Sequence, residues 1–183
     1  MQARFPLIAE DSATNPIVVQ VYAEIRHELG FGIVPNMFCS MAYRPAFLRS
    51  MWDTFRSTIL QGQLPRTLKE MIGVLISQAN ASEYAMRVHM HGLSALGMSD
   101  EVLQALVRDY ASCPLPERDK LVLRFGLLCA TDPLSITDTD LADLRAQDLA
   151  DEEIFEVVAT AALFSSINAY TDSVAVPIDN LGG

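Results

Sequence analysis

The chain has 183 residues, 50% of them hydrophobic and 20% charged, which is enough apolar material to bury the core of a single domain over residues 1–183. Its 13 lysines and arginines against 23 acidic residues give a net charge of −10 and exclude nucleic acid as an expected partner, because phosphate backbones bind basic surfaces. Three widely spaced cysteines and no targeting segment at the start predict a protein of the reducing cytoplasm, without a disulfide framework.

Helix-start and helix-stop residues punctuate the sequence, and the alternation that is typical of strands is almost absent, so we expect an all-α fold. Asparagine, serine or acidic residues begin several of the segments, and proline or glycine separates them. In chain order, we expect helices over about 16–30, 36–43, 45–61, 66–78, 82–96, 99–107, 116–130, 138–145 and 151–170. The tail after Val174 is expected to be extended.

The most apolar stretch covers residues 157–167, about half of the roughly 20 residues that a bilayer-spanning helix needs. Acidic residues precede it. We therefore expect a core helix and no membrane partner.

Residues 64–89 carry more reactive side chains than any other stretch. If residues 82–96 are helical, positions 82, 85 and 89 share one face, and Glu70 on the preceding helix can meet His89. A carboxylate orients an imidazole and forms a proton-transfer pair with it. The spacing alone also permits a histidine satisfied at a helix contact and a glutamate on a solvated face, with Arg66 and Lys69 as a charged edge.

Eleven, two and three residues separate Glu70, Ser82, Ala85 and His89. This frame resembles the alkyl hydroperoxidase D and carboxymuconolactone decarboxylase superfamily, whose redox members have Glu, eleven residues and then Cys-x-x-Cys-x-x-x-His. The flanks are similar to its peroxidase-related branch, namely Val34-Pro35-Asn36, the lead-in from Gly62 to Glu70, Ser77 to Asn80, Tyr84 and Gly97 to Glu101. The similarity covers residues 31–107 and continues more loosely through helices over about 116–172, where Asn168 and Asp172 resemble the closing segment of the family.

The resemblance implies a single-domain, all-helical fold like that of alkyl hydroperoxidase D. It also implies a homo-oligomer, a trimer or hexamer, with a small-molecule substrate and no cofactor. In the redox members one cysteine attacks the hydroperoxide and the other resolves it as a disulfide, with the Glu and His implied as a proton relay. The candidate catalytic residues are thus Glu70, Ser82, Ala85 and His89, and Tyr84 is a candidate for substrate binding.

Both cysteines of the motif are absent, because Ser82 and Ala85 occupy their positions. A hydroxyl has no sulfenic acid or disulfide state, and alanine has no functional group, so we expect no peroxide reduction by this route. A natural member without the redox pair and a chain whose cysteines were replaced both fit the sequence. The remaining cysteines are expected to be buried and unreactive, with Cys129 more core-like by pattern than the others: Cys39, Cys113 and Cys129.

Three functions remain open at this point. The first is a peroxidase-related protein disabled as a thiol peroxidase. The second is a thiol-independent acid–base enzyme of the carboxymuconolactone decarboxylase type, in which His89 moves a proton on a small carboxylate or lactone and Glu70 orients it. The third is a non-catalytic oligomeric binding protein, which a buried Glu70–His89 pair without an adjacent cavity would favour.

Two other kinds of site are not expected. His89 and His91 point about 200° apart on a helix, so we expect no metal site. Ser82 and His89 lie about 10 Å apart along the helix axis, which is too far for a serine nucleophile and its base.

The methionine and aromatic content of residues 37–55 exceeds what one small subunit is expected to hide, and such residues are enriched in interface cores. The same helical spacing also fits an ordinary core, so this content favours neither interpretation over the other. The residues concerned are Met37, Phe38, Met41, Phe47, Met51, Trp52 and Phe55.

Overall fold

The computed structural model describes residues 3–180, and within that range the secondary structure is helical, without β-strands. This confirms the predicted all-α class. The helices are α1 Pro16–Glu28, α2 Asn36–Met41, α3 Pro45–Phe55, α4 Arg66–Ala79, α5 Glu83–Ala95, α6 Asp100–Asp109, α7 Glu117–Thr131, α8 Asp138–Ala146 and α9 Asp151–Val174.

The helix starts follow the capping chemistry of the sequence. The Asn15 side chain accepts a 3.0 Å hydrogen bond from the backbone N–H of Ile17, and Ser99 caps α6 in the same way. A π-helical turn over Arg56–Leu60 continues α3. The last helix runs four residues past the predicted end at Tyr170, because Thr171 and Val174 face the core.

Helix α4 lies at the centre of the fold and packs against α5, α7 and α9. Every residue from Leu68 to Ser77 is buried, so this helix has no solvated face over nearly three turns. Helices α4 and α5 are joined by a short connection that contains Ala81 in the left-handed conformation (φ 53°). This tight connection lays the two helices side by side over their whole length.

Helix α9 is the one helix within residues 3–180 that is long and apolar enough to cross a membrane by length and composition alone. Half of its most apolar window is buried inside the protein, and the helix packs against α4 and α7. This packing is that of a core helix, as expected from the sequence.

The expectation that one subunit cannot hide the methionine and aromatic residues of the 37–55 segment is wrong. Trp52 and Phe38 are fully buried, with ring centroids 5.7 Å apart in an edge-to-face contact. Trp52 Nε1 also donates a 2.9 Å hydrogen bond to Glu24. Of the seven residues, only Phe47 is exposed, so this segment gives no argument for oligomerisation.

The prediction that Lys69 belongs to a solvated charged edge beside Glu70 is also wrong, because its side chain is fully buried. Its ammonium donates to the carbonyl oxygens of Thr58 (2.8 Å) and Gln61 (2.6 Å) and pairs with Glu156 at 2.8 Å. Glu156 in turn accepts hydrogen bonds from the backbone of the 62–64 turn. This buried ion pair therefore ties the end of the π-helical turn to α9.

Candidate functional site

Glu70 on α4 and His89 on α5 meet inside the protein, as the helix spacing predicts. Nδ1 of His89 lies 2.7 Å from Oε2 of Glu70, and both side chains are buried. The reading that places Glu70 on a solvated face is therefore wrong. With an ionised carboxylate the Nδ1–H donates, which leaves Nε2 as the ring atom that can accept or release a proton.

The imidazole of His89 is held on its other sides by Gly73 and Phe164. A Cβ at position 73 would lie only 2.6–2.8 Å from three ring atoms, so the ring rests directly on the backbone of α4. The Phe164 ring contacts the imidazole at a centroid distance of 4.4 Å. Among residues 3–180, no hydrogen bond reaches Nε2, so this atom is not committed to the fold.

The second carboxylate oxygen of Glu70 also has a partner. Nε of Arg66, one turn earlier on α4, donates to Oε1 at 3.3 Å, while its Nη1 donates to the carbonyl of Leu29 at 3.1 Å. Arg66 thus supplies the positive charge that an ionised carboxylate needs when it is buried.

A small cavity of about 30 Å³ adjoins the Glu70–His89 pair. Space of this size holds about two water molecules and therefore suits a small reacting group. Glu70, Tyr84, Ala85 and His89 contribute to the wall, and the rest is apolar: Leu29, Phe31, Pro35, Met37, Phe38, Phe55, Val88, Phe164 and Ile167. Ala85 is thus placed beside the pair, as its position in the motif predicts.

Ser82 precedes α5 but does not cap it with its side chain. Its hydroxyl donates a 2.9 Å hydrogen bond to Oδ1 of Asp172 at the end of α9, and the residue is not on the cavity wall. The structure therefore brings Ser82 to Asp172 and not to His89. The sequence places Asp172 in the closing segment, but nothing in the local pattern reveals this contact across 90 positions.

Tyr84 reaches the cavity only through its ring. Its hydroxyl donates to Oδ2 of Asp179 (2.7 Å) and accepts from the backbone N–H of Met37 (3.0 Å). Burial raises the pKa of Tyr84 well above its usual range and also raises the pKa of Asp179. The hydroxyl of Tyr84 is thus engaged within the fold, its ring is the part that faces the cavity, and its role in substrate binding stays a prediction.

The three cysteines do not replace the missing thiols of the motif. None of them lines the cavity, and burial raises the pKa of Cys39 and of Cys129 to about 11 and also raises that of Cys113. Such thiols carry little of the nucleophilic thiolate. Cys129 is only half-buried, so the prediction that it is the most core-like is wrong.

Within residues 3–180, no three His, Cys, Asp or Glu side chains come together in a way that could hold a metal ion. His91 turns away from His89, as predicted, and packs its ring edge-to-face against Phe31 at 5.0 Å.

Residues 45–114 match the carboxymuconolactone decarboxylase family, and this range includes the Glu70–His89 pair. The match covers 70 of the 183 residues and is a similarity of this segment to the family. An alkyl hydroperoxide reductase of Mycobacterium tuberculosis is 32% identical over 83 residues, which is 45% of this chain and 24% of that protein. The matched segment thus spans about a quarter of the length of the curated relative.

Several solved structures share the fold of this chain. A peroxidase-related protein of Ralstonia eutropha JMP134, described as an alkylhydroperoxidase D core, has a TM-score of 0.87 at 24% identity, covering 97% of this chain and 93% of that one. A peroxidase-related protein of Silicibacter sp. TM1040 has a TM-score of 0.84 at 21% identity over 98% and 95% of the two chains. The debrominase Bmp8 in complex with 2,3,4-tribromopyrrole has a TM-score of 0.80 at 18% identity over 98% and 95%. These similarities establish the single-domain helical fold.

Proposed function

We propose that this chain carries the proton relay of an alkyl hydroperoxidase D-like site without its thiols. The unmodified chain does not reduce hydroperoxides. A variant with cysteines at positions 82 and 85 does reduce them. The observation that carries the proposal is the buried 2.7 Å contact between Glu70 and His89, beside a cavity whose wall includes Ala85. The similarity to a protein named alkyl hydroperoxide reductase supports it.

Positions 82 and 85 have different roles in the proposed reaction. A cysteine at position 85 faces the cavity, so its thiolate attacks the terminal oxygen of the hydroperoxide after His89 takes the thiol proton. The O–O bond breaks, the departing alkoxide receives that proton to become an alcohol, and the sulfur becomes a sulfenic acid. A cysteine at position 82, one turn away, then forms a disulfide with it and releases water, and an external dithiol reduces the disulfide.

The experiment compares three proteins with an organic hydroperoxide and dithiothreitol. They are this chain, the Ser82→Cys/Ala85→Cys variant, and the Glu83→Cys/Met86→Cys variant, which has the same spacing on α5 with neither residue on the cavity wall. We expect turnover only in the first double variant. Turnover by the unmodified chain, or equal turnover by the two double variants, would overturn the proposal.

A second candidate is thiol-independent acid–base chemistry by His89. The observation in its favour is Nε2, which has no hydrogen-bond partner within residues 3–180. No lysine or arginine is among the residues on the cavity wall, so a neutral lactone suits this cavity better than a carboxylate. The test is turnover of small lactones by this chain and by its His89→Ala variant, and unchanged turnover in the variant would exclude this mechanism.

We also propose that the protein is a cytoplasmic homo-oligomer, a trimer or hexamer, with a small-molecule substrate. Exposed apolar side chains on α9 support an interface, since Phe155 is 70% and Val158 is 39% exposed in one subunit. Light scattering coupled to size exclusion tests it. A monomer at micromolar concentration would contradict the oligomer. A scaffold role without chemistry is favoured only if neither assay above finds turnover.

A further inference from the structure

A second pocket, of about 170 Å³, lies where the start of α3 meets the end of α9. It shares no residue with the cavity beside His89. Its wall consists of Phe5, Ser40, Met41, Tyr43, Arg44, Phe47, Tyr170 and Val174. Four of these eight residues are aromatic, and nothing in the proposed peroxidase chemistry uses them.

The aromatic rings form two pairs. Phe5 and Tyr43 have centroids 5.9 Å apart, and Phe47 and Tyr170 have centroids 5.6 Å apart. Three of the four rings remain accessible, with exposed fractions of 48% for Phe5, 63% for Tyr43 and 38% for Phe47. Such a concentration of exposed aromatic surface is unusual outside binding sites. The ring pairs offer flat faces against which another ring can pack.

Arg44 supplies the charge of this pocket. Within residues 3–180 its guanidinium makes no hydrogen bond or ion pair, and no acidic side chain is among the residues on the pocket wall. This is notable in a protein with a net charge of −10. Most other basic side chains have acidic partners: Arg26, Arg49, Arg56, Arg66, Lys69, Arg87, Arg118, Lys120, Arg124 and Arg145.

Two of the three hydroxyl groups on the wall, those of Ser40 and Tyr170, have no proton to offer a ligand. Ser40 donates to the carbonyl oxygen of Met37 at 2.6 Å, so the 3.0 Å contact between Ser40 and Tyr170 is donated by Tyr170. Both hydroxyl protons are therefore used within the fold. Arg44 is the one cationic side chain on the wall, and a guanidinium prefers a planar anion such as a carboxylate. The hydroxyl of Tyr43, which has no hydrogen-bond partner within residues 3–180, is a second, uncharged donor at the rim of the pocket.

We propose that this pocket binds a small aromatic carboxylate, with its ring packed against the two aromatic pairs and its carboxylate on the guanidinium of Arg44. Drug-sized ligands occupy pockets of roughly 300–1,000 Å³, so about 170 Å³ selects a molecule with a single ring. The proposal does not depend on the chemistry at His89, because the two sites have separate walls.

The test is isothermal titration calorimetry with benzoate, and with benzyl alcohol and cyclohexanecarboxylate as ligands that lack the charge or the aromatic ring. We expect Arg44→Gln to weaken benzoate binding about tenfold and to leave benzyl alcohol binding unchanged. Phe47→Leu should weaken both aromatic ligands. Arg108→Gln is the matched control, because Arg108 is exposed and also has no acidic partner within residues 3–180, and we expect it to bind benzoate as the unmodified chain does.

Three results would overturn the proposal. The first is an equal affinity of the unmodified chain for benzoate and cyclohexanecarboxylate, and the second is an equal loss of affinity in the Arg44→Gln and Arg108→Gln variants. The third is an absence of benzoate binding to the unmodified chain. If Phe47→Arg then dissociates an oligomer in light scattering, the pocket is a contact between copies of the chain. All the substituted side chains are accessible, and unchanged melting temperatures would establish that the variants are folded.

Discussion

Replacing Gly73 by alanine places a methyl group against the imidazole of His89. The added Cβ would lie 2.6 Å from Cε1 and 2.7 Å from Nε2, whereas favourable contacts between carbon atoms are about 3.5–4.0 Å. The ring therefore has to move by about 1 Å. Its 2.7 Å bond to Glu70 then stretches beyond the roughly 3.2 Å limit of a good hydrogen bond.

The free energy of unfolding should fall by about 3 kcal/mol. Loss of a buried hydrogen bond to a charged group costs about 1.5–3 kcal/mol, and overpacking a core costs about 1–3 kcal/mol. The higher helix propensity of alanine offsets about 1 kcal/mol of this loss. Adding Gly73→Ala to the Ser82→Cys/Ala85→Cys variant should also lower its hydroperoxide turnover, because His89 no longer faces the cavity in the same orientation.

Urea unfolding followed by circular dichroism measures the change, and Gly92→Ala is the matched control. Gly92 is also helical and also borders Glu70, but a Cβ there would meet its neighbours at 3.5–3.6 Å, which is an ordinary contact. This control should gain up to about 1 kcal/mol from helix propensity. A Gly73→Ala variant as stable as Gly92→Ala would refute the close packing of His89 on α4.

Four further predictions concern buried groups. Lys69→Met should lower the free energy of unfolding by about 3–5 kcal/mol, because Glu156 keeps its charge without its partner, and a loss under about 1 kcal/mol in urea unfolding would contradict the pairing. Burial alone would raise the pKa of Glu156, but the bonds from Lys69 and the 62–64 backbone lower it overall. The stabilising contribution of Glu156 is therefore present above the usual pKa of 4.5 and is lost as the pH falls through the lowered pKa. The melting temperature of the Lys69→Met variant should accordingly depend less on pH in this acid range than that of the unmodified chain. Thr160→Val should leave stability unchanged or raise it by about 1 kcal/mol, because the buried hydroxyl has no hydrogen-bond partner within residues 3–180, and calorimetry showing a clear loss would refute this. With a pKa of about 11, Cys39 and Cys129 are about one part in a thousand thiolate at pH 8, so reaction with Ellman's reagent should be slow in the folded protein, and rapid labelling would contradict the raised values.

The sequence predicts the contact between Glu70 and His89 because it depends on local features. A short connection between two long helices favours an antiparallel αα-hairpin, and the helical period then determines which residues face each other. Ala85 reaches the cavity wall for the same reason. The helix bounds were also predictable, since caps, prolines and glycines act on their immediate neighbours.

Contacts between distant parts of the chain were not predictable from these patterns. Ser82 meets Asp172 across 90 positions, and Tyr84 meets Asp179 in a tail that has no helical period. Lys69 is charged and next to Glu70, which fits a solvated edge, yet three acceptors from outside its own helix enclose it. Whether a side chain is buried depends on which helices pack around it, and a single helix does not encode this.

The same reason explains the error over the aromatic residues of the 37–55 segment. Their number predicts an excess of apolar surface only if the neighbouring helices cover little of it. Helix α1 packs against α3, and Val21, Tyr22 and Ile25 of α1 are buried in the same core. One subunit therefore buries Trp52 and Phe55 completely or nearly so. The aromatic rings of this segment that stay exposed are those of Tyr43 and Phe47, and Phe155 is exposed on α9.

We propose that the proton relay of Glu70 and His89 is intact and that only the thiols are missing. The most direct test is the rate of hydroperoxide consumption by the Ser82→Cys/Ala85→Cys variant, with and without the additional substitution Glu70→Gln. We expect turnover in the double variant and a loss of about 100-fold or more in the triple variant, which is the range of general acid–base contributions. A double variant without activity, or one that Glu70→Gln leaves unchanged, would contradict the claim.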